Sequence, residues 1–224
     1  MITLSNHIET SETSSIKDMK EKKVSKTLIL GMGNTILSDD AIGILVKRLL
    51  EICLKNVEHL NFEETSWGGF RIIDLIKGYD YVIVVDAMKT GNCKPGTIKH
   101  LKVNDFLPTL RFNSYHDINF ITALKLAEAM EEKVPNDIDI FTVEIIDNRT
   151  ISFKLSEEVE QSLCNCTMEI LNKLFEKDII SESEKNSCVS NLSDFMNNKE
   201  NFIKEKLYSE EYNIIIKSKQ FETK

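Results

Sequence analysis

Asp40, Asp86 and His116 stand in three separate loops of the 224-residue chain. Brought together, two carboxylates and one imidazole would suit a divalent transition metal and leave coordination positions open. Each residue has a plainer alternative. Asp40 and its neighbour Asp39 open a helical pattern, where acids complement the helix dipole and cap amide groups. Asp86 ends the apolar run YVIVVDA, where a carboxylate serves function or a structural hydrogen bond, since burying it unpaired would be costly. His116 lies in NSYHDINF just before a helical segment, and a lone histidine is ordinarily a surface or core residue. His7 falls in the N-terminal arm, while His59 and His100 fall in strand-like runs and read as structural. Spacing does not prove that the three residues converge; that depends on the fold.

The first aspartates belong to GMGNTILSDDAIG, residues 31–43, which could be a phosphate-binding glycine loop. A dinucleotide fingerprint needs a third glycine where this chain has Ile36. Asp39 and Asp40 would also repel a phosphate from the helix start, and no Gly-Lys-Ser/Thr follows. No nucleotide cofactor is expected.

These loops need a scaffold. KTLILG, VEHLNFEE, DYVIVVDA, IKHLKV and IDIFTVEII read as strands. Between and after them, AIGILVKRLLEIC, FRIIDLIK, DINFITALKLAEAMEEK and SEEVEQSLCNCTMEILNKLFEK read as helices, with Asp117 and Ser156 as caps. On the first helix, Ile44, Leu45, Leu49, Ile52 and Cys53 fall near one face. The alternation predicts an α/β fold: a twisted, mostly parallel sheet with helices on both faces, in three layers. Loops after such strands open at the carboxyl edge of the sheet, where this architecture places ligands.

All eight glycines lie between Gly31 and Gly96 and all three prolines between Pro95 and Pro135, which marks the loop-bearing domain. We divide the chain into an N-terminal arm over residues 1–25, a domain over 26–176 and an extension over 177–224. The arm is expected to be mobile. The extension holds apolar clusters at Phe202, Ile203 and Leu207 and at Ile214 to Ile216, so partial helix competes with disorder.

A net charge of −8 with no basic stripe argues against nucleic-acid binding. Apolar runs such as YVIVV fall far short of the roughly 20 residues that cross a bilayer, and the N-terminus lacks a signal-peptide core. A cytoplasmic protein without a membrane partner is expected. Five cysteines without a CxxC pair point to buried or incidental thiols rather than a disulfide framework or zinc knuckle.

Together, LILGMGNTILSDDAIG, GYDYVIVVDAMKTGNCKPGTI, SYH before a helix, and VPNDIDIFTVEI leading into LSEEV resemble the hydrogenase maturation endopeptidases. The resemblance runs in family order from about Lys26 to Phe175. It implies a metal site at Asp40, Asp86 and His116, the same trio. It also implies that the C-terminal extension of a nickel-iron hydrogenase large-subunit precursor is removed once nickel is in place. The nickel would be supplied by the substrate and recognised by these ligands, and the protein would act as a monomer. Many members carry Asp-Gly-Gly-Thr after the second strand, whereas this chain has EETSWGGF. Gly68 and Gly69 are expected to shape the substrate groove, and Trp67 to line it or pack in the core. The attacking group is not identified, and Asp39 reads as a cap or a neighbour of the metal ligands. Two other readings compete: a non-cleaving checkpoint for the nickel-loaded subunit, and a nucleotide-dependent oxidoreductase, which Ile36 and the paired aspartates disfavour.

Overall fold

The computed structural model describes residues 25–66, 70–103, 123–209, 211 and 213. The expectations for the arm up to residue 24, Trp67, Gly68, Gly69, His116, Asp117 and Ile214 to Ile216 lie outside the described residues. Five strands form one sheet in the order β2-β1-β3-β5-β4: β1 (Thr27–Met32), β2 (Leu60–Thr65), β3 (Tyr81–Met88), β4 (Ile98–Lys102) and β5 (Asp137–Glu144). The pairs β1–β2, β1–β3 and β3–β5 are parallel, and only β4 runs antiparallel, against β5. Every residue of β1 and β3 is buried, as expected of unbroken apolar strands at the centre of a parallel sheet.

Alternation along these strands divides the core between the two faces. Ile29, Ile83, Val85, Phe141 and Val143 pack with α1 (Ile42–Leu54) and α4 (Glu157–Glu176). Leu28, Leu30, Val82, Val84 and Ile140 pack with α2 (Phe70–Ile76) and a helical stretch over residues 123–129, α3. The three-layer α/β expectation is met.

The structure corrects three local details. The first helix is buried nearly all round, with Val46, Lys47 and Leu50 inside, whereas Ile52 and Cys53 are only partly buried. Its one-face pattern failed because later helices pack on its outer side. The helix expected to reach Lys133 ends earlier: Glu131 adopts φ 58°, a left-handed conformation that stops it. Ser156 does stand at the N-cap of α4, but its hydroxyl makes no cap bond.

After α4 the chain continues into α5 (Glu182–Asn197), the short α6 (Lys199–Phe202) and one π-wound turn, Ile203–Leu207. Ser181 and Glu184 close a reciprocal capping box at the start of α5. Cys188, Leu192, Phe195, Leu207 and Tyr208 are buried in the same cluster as α1 and α4. Arg48 clips this segment to the sheet. Its Nε and Nη2 donate to Glu64 at 2.9 and 2.6 Å, and its Nη1 donates to the Leu207 carbonyl at 2.6 Å and to Glu211 at 3.0 Å. All five cysteines are free thiols.

A polar cluster lies at the amino edge of the sheet. The fully buried Asp139 carboxylate accepts from Tyr81 Oη at 2.5 Å, pairs with Lys102 Nζ at 2.8 Å and meets the His100 ring, which stacks on Phe141. Asp137 pairs with Lys102 at 2.8 Å and Lys177 at 2.5 Å. Burial alone would raise both carboxyls, but hydrogen bonds from these partners outweigh it and hold both below the ordinary aspartate value of 3.8. A depressed folded-state pKa gives stability that is complete above the unfolded value and lost as pH falls through the folded one. Urea unfolding is therefore expected to show a steep loss of stability below about pH 3.8, and Lys102→Met should flatten it. An unchanged acid profile in that variant would assign the loss to other groups.

Candidate functional site

The site is built on the connection from β1 to α1. At Gly33, φ is 139° and an added Cβ would lie 1.9 Å from the Asp40 carbonyl oxygen, so only glycine lets the loop fold back on itself. A single turn of 3-10 helix, Ser38–Ala41, carries both aspartates and packs against β3. Gly43 then brings the first turn of α1 onto two strand ends, where a Cβ would sit 2.3 Å from the Met32 carbonyl oxygen and 2.4 Å from that of Val85. Asp40 is three residues before this contact and Asp86 is one residue after it. The fold thus brings Asp40 and Asp86 to the same stretch of the carboxyl edge, with 9% and 3% of their surfaces exposed.

Asp86 Oδ1 accepts from the backbone N–H of Ala87 at 2.8 Å. Its side chain belongs to the sheet face of Val84 and Met32, which α3 covers through Ala123, Leu124 and Ala127. The chain segment that follows His116 therefore returns to the face of Asp86. His116 itself is outside the described residues, and among the described residues no three His, Cys, Asp or Glu side chains form a group able to hold a metal.

Each aspartate loop is held by a buried carboxylate that sequence reasoning left without this role. Asp39 caps neither its own turn nor α1. It is fully buried and accepts from the backbone N–H groups of Ile146, Asp147 and Ser156 at 3.2, 3.0 and 2.6 Å, and from Ser156 Oγ at 3.0 Å. That explains why Ser156 does not cap α4. The adjacent Ser38, at φ 39°, donates from N to the Ser152 carbonyl and from Oγ to that of Lys154. Glu144 does the same for the loop after β3, accepting from the backbone N–H groups of Thr90 and Gly91 and from Thr90 Oγ1, all at 2.7 Å. A readable signal existed for Glu144: it is an acid that follows the apolar run of β5 and closes the strand, as Asp86 follows the apolar run of β3 two residues before that strand ends.

A cavity of about 580 Å³ opens beside the loop, lined by Asn34, Thr35, Glu64, Ser66, Arg71 and Glu211. A larger one, about 860 Å³, lies at the opposite edge against Gly78, Lys102 and Asp137, away from both site carboxylates. The smaller shares Gly33, Asn34 and Thr35 with the loop that leads to Asp40, although neither Asp40 nor Asp86 is among its lining residues.

A sequence model of the hydrogenase maturation protease family (HycI) matches residues 46–173. The chain belongs to the hydrogenase maturation protease family. The matched span includes Asp86 but begins after Asp40. Among curated relatives, the hydrogenase 2 maturation protease of Escherichia coli (strain K12) is 27% identical over 88 residues, 39% of this chain and 53% of that protein. Protein HydD of Wolinella succinogenes is 29% identical over 106 residues, 47% of this chain and 66% of that protein. The chain thus spans between about half and two thirds of the length of these relatives. The fold resembles two solved family structures. The hydrogenase maturating endopeptidase HybD from E. coli has a TM-score of 0.56 at 21% identity, covering 68% of this chain and 93% of that one. The [NiFe] hydrogenase maturation protease HybD from Thermococcus kodakarensis has a TM-score of 0.51 at 24% identity, covering 66% and 98%. Among the described residues, no helix is long and apolar enough to cross a membrane.

Proposed function

We propose that this chain is an endopeptidase that removes the C-terminal extension of a nickel-iron hydrogenase large-subunit precursor after nickel insertion, recognising the precursor's nickel through Asp40, Asp86 and His116. The observation that carries this reading is the pair of nearly buried carboxylates, Asp40 and Asp86, gathered at one sheet edge by loops that Asp39 and Glu144 hold in place. Carboxylate oxygens with an imidazole nitrogen make a donor set suited to a borderline divalent ion. Because the metal arrives with the substrate, these groups need bind it only while the precursor is docked, and the tail to be cut would lie in the adjoining cavity beside Asn34, Thr35 and Ser66. Membership of the protease family supports the hydrolytic step. The protein would work as a cytoplasmic monomer on a transient protein partner, without a nucleotide.

The test is mass spectrometry of a large-subunit precursor after incubation with the protein. Loss of a C-terminal peptide is expected from nickel-loaded precursor only, and His116→Ala should abolish it. A stable complex in which the precursor keeps its full mass would instead favour the checkpoint reading.

A further inference from the structure

Thr142 stands directly opposite Asp86 in the parallel pairing of β3 with β5 and lies on the same sheet face. It is fully buried, and among the described residues its Oγ1 has no hydrogen-bond partner. This is anomalous, because buried hydroxyls in folded proteins are almost always bonded and an unsatisfied one costs stability. Valine has nearly the same shape, favours strands at least as well and would carry no such cost. On the same face of β5, Thr142 is flanked by Ile140 and by Glu144, whose two carboxylate oxygens are taken by Thr90 and Gly91, and Lys99 stands opposite it on β4. The hydrogen-bond acceptor directly opposite it on β3 is the Asp86 carboxylate.

We propose that Thr142 is a positioning residue for Asp86: its hydroxyl donates to the Asp86 carboxylate when that carboxylate turns to the substrate's nickel. In the structure Asp86 Oδ1 is occupied by the Ala87 N–H. A carboxylate that swings onto a metal keeps its orientation only if a second donor holds the oxygen not engaged by the ion, and such donors are commonly worth 10- to 100-fold in metal affinity or activity. Thr142 supplies that donor from a buried position directly opposite Asp86 in the register. The inference rests on the nickel-recognition reading above.

The test compares wild type, Thr142→Val and Thr142→Ser, measuring melting temperature and affinity for nickel-loaded and nickel-free precursor by surface plasmon resonance. Thr142→Val is expected to melt a few degrees higher, because an unsatisfied buried hydroxyl is gone. It should also lose about tenfold in preference for loaded over free precursor. Thr142→Ser keeps a hydroxyl and should stay within about twofold of wild type in that preference. A lower melting temperature for Thr142→Val would show that the hydroxyl already holds a structural bond, and an unchanged preference would show that Asp86 does not use it; either overturns the inference. If wild type itself shows no preference for loaded precursor, the nickel-recognition reading fails, and this inference with it.

Discussion

Asp86→Asn and Asp40→Asn should each lower processing of nickel-loaded precursor by at least about 100-fold while leaving the melting temperature within a few degrees of wild type. Asparagine keeps the shape of the side chain and removes its charge. A merely structural carboxylate at 3% or 9% exposure would be missed in the fold. One kept for a ligand would be missed only in the reaction, because burying a charge is a cost to folding that the amide does not carry. The size follows from the metal chemistry: groups that only hydrogen-bond to a metal ligand are worth up to about 100-fold, and a ligand is worth more. Differential scanning fluorimetry alongside the cleavage assay separates the cases. Near-wild-type processing by either variant would remove that residue from the site, and a large drop in melting temperature with processing intact would make it structural.

The neighbouring aspartate should behave in the opposite way. Asp39→Ala removes one fully buried acceptor of four hydrogen bonds and leaves the donors of Ile146, Asp147 and Ser156 unsatisfied. Hydrogen bonds to charged groups are individually worth about 1.5–3 kcal/mol. They share one carboxylate and are not additive, so the expected loss is about 3 kcal/mol or more, a fall in melting temperature on the order of 6–12 °C. Asp39→Asn should not rescue it, since its amide N–H₂ would face N–H donors. Circular dichroism melting curves give the answer, and a shift under 2 °C would show that the clamp contributes little. The proposed function assigns one acid of the DD pair to the fold and one to the site, and the two variants test that division by stability against activity.

How far these roles could be read from the sequence depended on the distance between partners. β1 and β3 were legible because a central parallel strand is apolar on both faces, and Asp86 was legible because it breaks that pattern two residues before β3 ends. The Asp39 clamp was not, since its partners lie more than 100 residues away and short-range patterns carry no trace of them. The same holds for α1. Its apparent polar side includes Lys47, which is buried because it lies over Gly31 of β1, where its ammonium pairs with Glu64 of β2 at 2.9 Å. Ser156 looked like a cap because local rules know only local partners. Gly43 did carry a signal, a glycine in the first turn of a helix, which often marks close backbone approach.

The segment after α4 bears on what counts as a domain here. The family match stops at residue 173, yet Cys188, Leu192, Phe195, Leu207 and Tyr208 complete the apolar cluster around α1. Drawing a boundary where similarity ends would cut through a continuous core rather than between two modules. The outer layer over α1 serves the core through its apolar inner side. Cutting the chain at residue 173 would thus lay bare the apolar outer side of α1 instead of releasing a separate module.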